Sequence, residues 1–185
     1  MVSDLSRLPT GAAGWSQLVD HALSLGDLSE VNYLELKSTL PFGTRPDRKR
    51  AGALLARQIL GFANRMPDVA AAHLGGFGVV LVGIRAGEVT GAEEVDGTVL
   101  HDAVHPFLGD GGPRWDYQYI AHSDGRVLAI VVDPPTWGSP MYACVKDYGD
   151  ADPDAGVRDG DVYVRVGGRT RRATSHDLSE LGRRS

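Results

Sequence analysis

Apolar positions along this chain change their period several times, and each change marks an element. Trp15, Leu18, Val19, Ala22, Leu23 and Leu25 recur at helical spacing, and Gly26 follows as a stop signal. Around residues 33–38 the period falls to two. Tyr33, Leu34 and Leu36 are apolar, while Glu35 and Lys37 share the opposite face of a strand. Pro41, Gly43 and Pro46 mark a loop, after which Asp47 is placed to cap a helix running to about Asn64. Ala53, Leu54, Ile59, Leu60 and Phe62 give that helix its buried face. Residues 66–74 show no regular period and read as an irregular insertion. Residues 77–83 then carry Val79, Val80, Leu81 and Val82 in one unbroken run, the pattern of a central strand buried on both faces. A hairpin through Gly87 to Val89 and Thr90 follows.

Residues 98–105 read as a helix closed by Pro106. Residues 117–121 and 126–132 read as an antiparallel pair, because Ser123-Asp124-Gly125 between them is a turn signal. Pro134 and Pro135 end that pair. Residues 141–145 and 162–166 suggest two further strands, separated by an Asp- and Gly-rich loop at 147–160. Ser175 is placed to cap a short helix at 176–181. There is no internal repeat. The expectation is one domain over residues 1–185, with an N-terminal helical segment at 1–27 and a core at 28–182.

Composition adds limits rather than answers. Of 185 residues, 42% are hydrophobic and 23% charged, which is ordinary for a globular chain and excludes wholesale disorder. The single cysteine, Cys144, rules out an internal disulfide framework and a cysteine-based zinc site. It points to a reducing, cytoplasmic setting. The first ten residues lack the basic and apolar pattern of a signal peptide, and no apolar stretch is long enough for a membrane span. A net charge of −5 argues against a surface that grips nucleic acid everywhere, but not against a local patch. The cations are unevenly placed. Arg45, Arg48, Lys49, Arg50 and Arg57 fall in one region, and Arg165, Arg169, Arg171, Arg172, Arg183 and Arg184 crowd the C-terminus. Residues 147–161 are acidic.

Several segments, taken in order, resemble the Schlafen/AlbA-2 family of DNA-binding domains. Glu30-Val31-Asn32-Tyr33-Leu34-Glu35-Leu36-Lys37 is similar to the family's opening of two acids five residues apart, and Ile59-Leu60-Gly61-Phe62-Ala63-Asn64 to its helix end. Gly75-Gly76 with residues 79–84 is similar to its glycine-led central strand, and Gly87-Glu88-Val89-Thr90-Gly91 to the turn after it. Residues 127–132 with Pro140-Met141-Tyr142, and finally residues 162–170, complete the series. The resemblance covers about residues 30–181. It implies an α+β fold with a mixed, mainly antiparallel sheet and flanking helices, Schlafen/AlbA-2-like. There are two departures. Ten residues separate Asn64 from Gly75, and Arg85 with Ala86 stands where the family's nucleases carry an acid after the central strand.

Two chemistries follow. Metal-assisted phosphodiester cleavage needs carboxylates converging on Mg²⁺ or Mn²⁺. Glu30 and Glu35 would supply metal ligands, and Lys37 would steady the phosphate or the attacking water. Neither Glu88 nor Asp133 is placed by sequence as the third acid. That reading makes the chain a metal-dependent endoribonuclease of Schlafen type, acting on tRNA or structured RNA. The plainer reading of Glu35 and Lys37 is a solvated strand face. The second chemistry is binding of an RNA or DNA backbone. Arginine forks match phosphate oxygens, and Gly167-Gly168 would let backbone approach a ligand. Arg165, Arg169, Arg171 and Arg172 then form the main contact, Arg48 and Lys49 a second patch, and Arg85 adds charge. Such contacts give affinity without sequence choice. The plainer reading is a charged surface hairpin, with Arg165 paired to an acid such as Asp161.

Other features carry less. Gly75-Gly76-Phe77-Gly78 precedes a strand and lacks the lysine of a phosphate loop. His101 and His105, with Asp102, fit a polar helix face better than a metal site, and Cys144 fits a core position. Ser139-Pro140 lacks the surroundings of a hydrolase nucleophile. Trp115, Tyr117 and Tyr119 alternate on one strand face and suit core packing more than base stacking. The favoured expectation is a nucleic-acid-binding module, regulatory or part of a larger assembly, with homo-oligomers left open and no membrane partner. A non-catalytic protein-interaction domain is the remaining alternative.

Overall fold

The computed structural model describes residues 5–25, 31–85, 87–152 and 155–185. In chain order the helices are α1 (Gly11–Leu25), α2 (Arg45–Ala63), α3 (Pro67–Ala70), α4 (Gly97–Leu108) and α5 (Ser175–Gly182). The strands are β1 (Leu34–Lys37), β2 (Gly78–Val82), β3 (Ile84–Arg85), β4 (Glu88–Val89), β5 (Trp115–His122), β6 (Gly125–Val132), β7 (Tyr163–Val166) and β8 (Arg169–Arg172).

The main sheet has the order β1-β2-β6-β5, with β1 parallel to β2 and the other pairs antiparallel. It sorts its side chains by alternation. Val80, Val82, Leu128, Ile130 and Val132 pack with α2 and α4 on one face, while Val79, Leu81, Val127, Ala129 and Val131 pack with α1 on the other. That is why β2 and β6 read as unbroken apolar runs: both of their faces are covered. The architecture is α+β, with a mixed, mainly antiparallel sheet flanked by helices.

Local chemistry sets the ends. Thr44, rather than Asp47, caps α2; its hydroxyl accepts from the Asp47 amide while the Asp47 carboxylate takes the Thr44 amide, a reciprocal capping box. Thr174 and Asp177 repeat the arrangement on α5, so Ser175 lies inside that helix. Helix α4 passes Pro106 and ends at Leu108, one turn beyond the expected stop, because the Gly109 amide still reaches the His105 carbonyl at 2.8 Å. Residues 141–145 form no strand, only a bridge from Ala143 to Val162. The stretch at 66–74 is less irregular than its sequence suggests, since it holds α3 and runs into a 3₁₀ turn at Leu74–Gly76.

The β7–β8 pair is a separate two-stranded hairpin lying against α2. Its tip residues Gly167 (φ 58°) and Gly168 (φ 82°) both need positive φ, the signature of the tight turn favoured between right-twisted strands. Close approach is also built into α2. A Cβ on Gly61 would sit 2.6 Å from Thr170 Cγ2, and one on Gly52 only 1.9 Å from the Ala103 carbonyl oxygen of α4. Glycine at 52 therefore permits the α2–α4 crossing. Among the described residues, no helix is long and apolar enough to cross a membrane.

Candidate nucleic-acid interface

The sequence directed attention to Glu35 and to the hairpin arginines, and the fold joins the two. Arg165 on β7 points inward, with none of its side chain exposed, and its Nη1 lies 2.8 Å from Glu35 Oε2. The same guanidinium donates to the Val31 carbonyl at 2.9 and 3.1 Å and to the Leu34 carbonyl at 2.6 Å. Strand β1 is a sheet edge, and these bonds satisfy outward-facing carbonyls that a neighbouring strand would otherwise take. Lys37 holds the other Glu35 oxygen at 2.7 Å. Thr170 accepts from Arg165 at 3.2 Å and donates to the buried Gln58 at 2.6 Å, carrying the network onto α2. Asp161, the partner expected for Arg165, instead takes Arg172 at 2.7 Å. Arg165 is thus interior and does not offer its guanidinium to an outside phosphate.

A second polar knot closes the C-terminal end of α2. Asn64 donates to the Tyr142 and Tyr163 carbonyls at 2.8 and 2.9 Å and accepts from the Tyr142 amide at 2.9 Å. Arg184 donates to the Ala63 and Arg65 carbonyls at 2.8 and 2.9 Å, placing a cation at the negative end of the helix. Arg65 donates to the Phe62, Asn32 and Gly76 carbonyls. Burial, reinforced by the nearby Arg165 charge, pushes its guanidinium down to about 9, which leaves it protonated at neutral pH. Arg65 and Arg165 flank the Phe62 ring, at 5.1 and 4.6 Å. These residues hold the hairpin, the C-terminus and α2 together.

The exposed candidate cations separate into two groups. On the hairpin, Arg171 makes a forked pair with Asp177 at 2.6 and 3.1 Å, and Arg172 pairs with Asp161. Arg169 is exposed beside the hairpin turn. Arg85 pairs with Glu88 at 2.5 Å across the β3–β4 turn, and Arg50 with Asp150 at 2.9 Å. Most of the charge the sequence offers here is locally neutralised.

The other group is not. The first turns of α2, one side of α4 from Val99 to Phe107, and the segment at 146–148 line a groove of about 590 Å³. Arg45, Arg48, Lys49 and Lys146 line it, all four exposed, and among the described residues none is ion-paired to a carboxylate. Arg48 Nε donates to the Phe42 carbonyl at 2.8 Å, which fixes the stem and leaves the terminal nitrogens of the fork. Lys49 and Lys146 lie over the Tyr148 and Phe107 rings, at 5.7 and 5.8 Å from the centroids. Those rings form an edge-to-face pair 6.4 Å apart. Among the described residues, Asp102 is the one carboxylate of the lining. The capping box takes the Thr44 and Asp47 amides and Pro46 has none, so the positive character comes mainly from side chains.

Arg48 and Lys49 were legible as candidates; Arg45 was visible as part of the basic run, while Lys146, Phe107 and Tyr148 were not connected to it. Arg45, Arg48 and Lys49 fall at i, i+3 and i+4, a helical-face spacing that signals shared placement. Lys146 comes from a loop a hundred residues away and leaves no local signal. The groove and the hairpin contact different ends of α2, roughly 20 Å apart at the rise of a helix from Arg48 to Gly61.

The remaining candidates are quickly placed. Glu30 lies outside the described residues. Among the described residues no three His, Cys, Asp or Glu side chains are grouped to hold a metal ion. Glu88 is engaged by Arg85, and Asp133 lines a different groove beside Trp115. His101 and His105 stack 5.1 Å apart. Cys144 is buried, with its thiol donating to the Lys146 carbonyl. Trp115, Tyr117 and Tyr119 pack, half-buried, against the core on the α2 side.

No family model and no curated protein matches this chain. A solved structure does resemble it, that of the DIP2311 protein from Corynebacterium diphtheriae, at 18% identity and a TM-score of 0.53. The match covers 91% of this chain and 32% of the neighbour. At that identity the likeness establishes the fold alone.

Proposed function

We propose that this chain is a cytoplasmic nucleic-acid-binding domain that holds an RNA or DNA backbone in the groove at the start of α2. The observation that carries the reading is the charge pattern. Arg45, Arg48, Lys49 and Lys146 converge on one concave surface with no acid paired to them among the described residues, while the hairpin's Arg171 and Arg172 are spent on Asp177 and Asp161. Clustered unneutralised cations draw in a polyanion despite the net charge of −5, since attraction depends on the local field. A role within a larger assembly is part of the proposal. Metal-dependent cleavage is not, because both oxygens of Glu35 are engaged by cations.

The test is binding of an RNA and a DNA panel across a salt series. Affinity should fall steeply with salt, and the variant R45A/R48A/K49A/K146A should lower the log–log slope by about 3, near 0.7–0.9 per lost phosphate contact. R171A/R172A should change the slope much less. Salt-insensitive binding, or a four-site variant that binds like the parent, rules the groove out.

A further inference from the structure

The groove is only half explained by phosphate binding, because its floor is apolar. Pro46, Val99, Ala103 and Pro106 line it together with the Phe107 and Tyr148 rings, alongside the four cations. A duplex backbone presents phosphates and sugars to a shallow basic surface and keeps its bases stacked inside, so it has nothing to place on such a floor. An unpaired nucleotide has both parts: a flat apolar base and an anionic phosphate. The size agrees, since about 590 Å³ falls within the range of sites that enclose a small organic ligand. Asp102, exposed on the lip, is placed to accept a hydrogen bond from the amino edge of a base.

Resting on the nucleic-acid reading above, we infer that the groove is a seat for one unstacked nucleotide of a single strand, with the base against Pro46, Val99 and Pro106 and the flanking phosphates on Arg45, Arg48, Lys49 and Lys146. The lysines that rest over Tyr148 and Phe107 turn outward to the phosphates when the seat is filled. A free mononucleotide presents the same chemistry and would enter the same seat more weakly, lacking the flanking phosphates.

The experiment compares a single-stranded twelve-mer with the same sequence annealed into duplex, by fluorescence anisotropy at one salt concentration. The single strand should bind at least tenfold more tightly. Adenosine monophosphate should displace it at concentrations where inorganic phosphate does not. Val99→Gln, which makes the lining polar without changing charge, should lower single-strand affinity severalfold and duplex affinity by less, with the unfolding temperature measured alongside. Equal or tighter duplex binding overturns the inference, as does phosphate displacing the strand as well as the mononucleotide does. Either result leaves backbone binding intact provided the four-cation variant still loses affinity. No binding to either form removes both readings. Tight binding of the mononucleotide with no gain from the longer strand would make the seat a free-nucleotide site and also overturn it.

Discussion

Replacing Glu35 by glutamine keeps the shape of the side chain and removes its charge from between Lys37 and the fully buried Arg165. For unit charges about 4 Å apart in an effective dielectric of about 20, the Arg165 attraction amounts to roughly 4 kcal/mol. The amide oxygen still accepts a hydrogen bond, which returns about 1 kcal/mol, and the lost desolvation of the carboxylate returns a little more. The expected net loss is about 2–3 kcal/mol. For a chain of this length that is roughly 5–10 °C in unfolding midpoint. Arg165→Met should cost more, about 3–5 kcal/mol, because it also strips the Val31 and Leu34 carbonyls of their donor. The double variant should then cost less than the sum, with a coupling of at least about 1 kcal/mol. The assay is thermal and urea unfolding of the four proteins of the cycle. A metal-ligand role for Glu35 predicts the opposite sign, since removing a carboxylate from an unfilled cluster of acids relieves repulsion and stabilises. An E35Q midpoint within 1 °C of the parent, or above it, would refute the assignment of Glu35 as the keystone of the β1–β7 contact.

Three further outcomes follow from the same geometry. Gly52→Ala should lose about 2 kcal/mol in urea unfolding, despite the roughly 1 kcal/mol that alanine gains in a helix, because its Cβ would press on the Ala103 backbone. Asn64→Leu should lose about 3 kcal/mol in urea unfolding by leaving the Tyr142 and Tyr163 carbonyls and the Tyr142 amide without their partner. The Asp177 carboxyl is held well below the usual range, first by its bonds from Arg171 and then by those from Thr174. Its folded value lies below the unfolded one near 3.9, so its stabilisation is complete above about pH 4 and is lost as pH falls through the folded value. Arg171→Ala should flatten the acid limb of a stability–pH curve; an unchanged limb would contradict the assignment.

Where local pattern and tertiary structure agree, the sequence was readable. The run from Val79 to Val82 and the Ser123-Asp124-Gly125 turn define the two central strands because sheet burial and turn geometry are both local signals. Residues 141–145 misled because their apolar content suggested a strand, yet their backbone is bound piecemeal, by the Asn64 side chain, by a bridge between Ala143 and Val162 with its flanking bonds, and by the Phe107 carbonyl at the end of α4. A side chain that substitutes for a ladder leaves no periodicity. Arg165 misled more consequentially. An arginine between Val164 and Val166 reads as the solvent face of a hairpin, and the alternation does put it opposite them, but that face lies against the exposed carbonyls of the β1 edge. The need for a donor there exists only once β1 and β7 are brought together, across 130 residues.

The same reasoning explains why counting charges located the wrong patch. The acidic stretch at 147–161 and the basic hairpin look in sequence like two opposed surfaces, one repelling a polyanion and one attracting it. Folding sets them against each other and against α2: Asp150 takes Arg50, Asp161 takes Arg172, and Asp177 takes Arg171. Each pairing removes an acid and a base together, so the hairpin keeps little of the positive field its sequence offers. What remains positive is the place where the cancellation stops, at the start of α2, where Lys146 enters from the edge of the acidic loop while the nearest lining acid, Asp102, makes no ion pair among the described residues. A polyanion approaching the start of α2 therefore meets Arg45, Arg48, Lys49 and Lys146 clustered on one surface, none of them ion-paired among the described residues, of which the two basic regions of the sequence contain three.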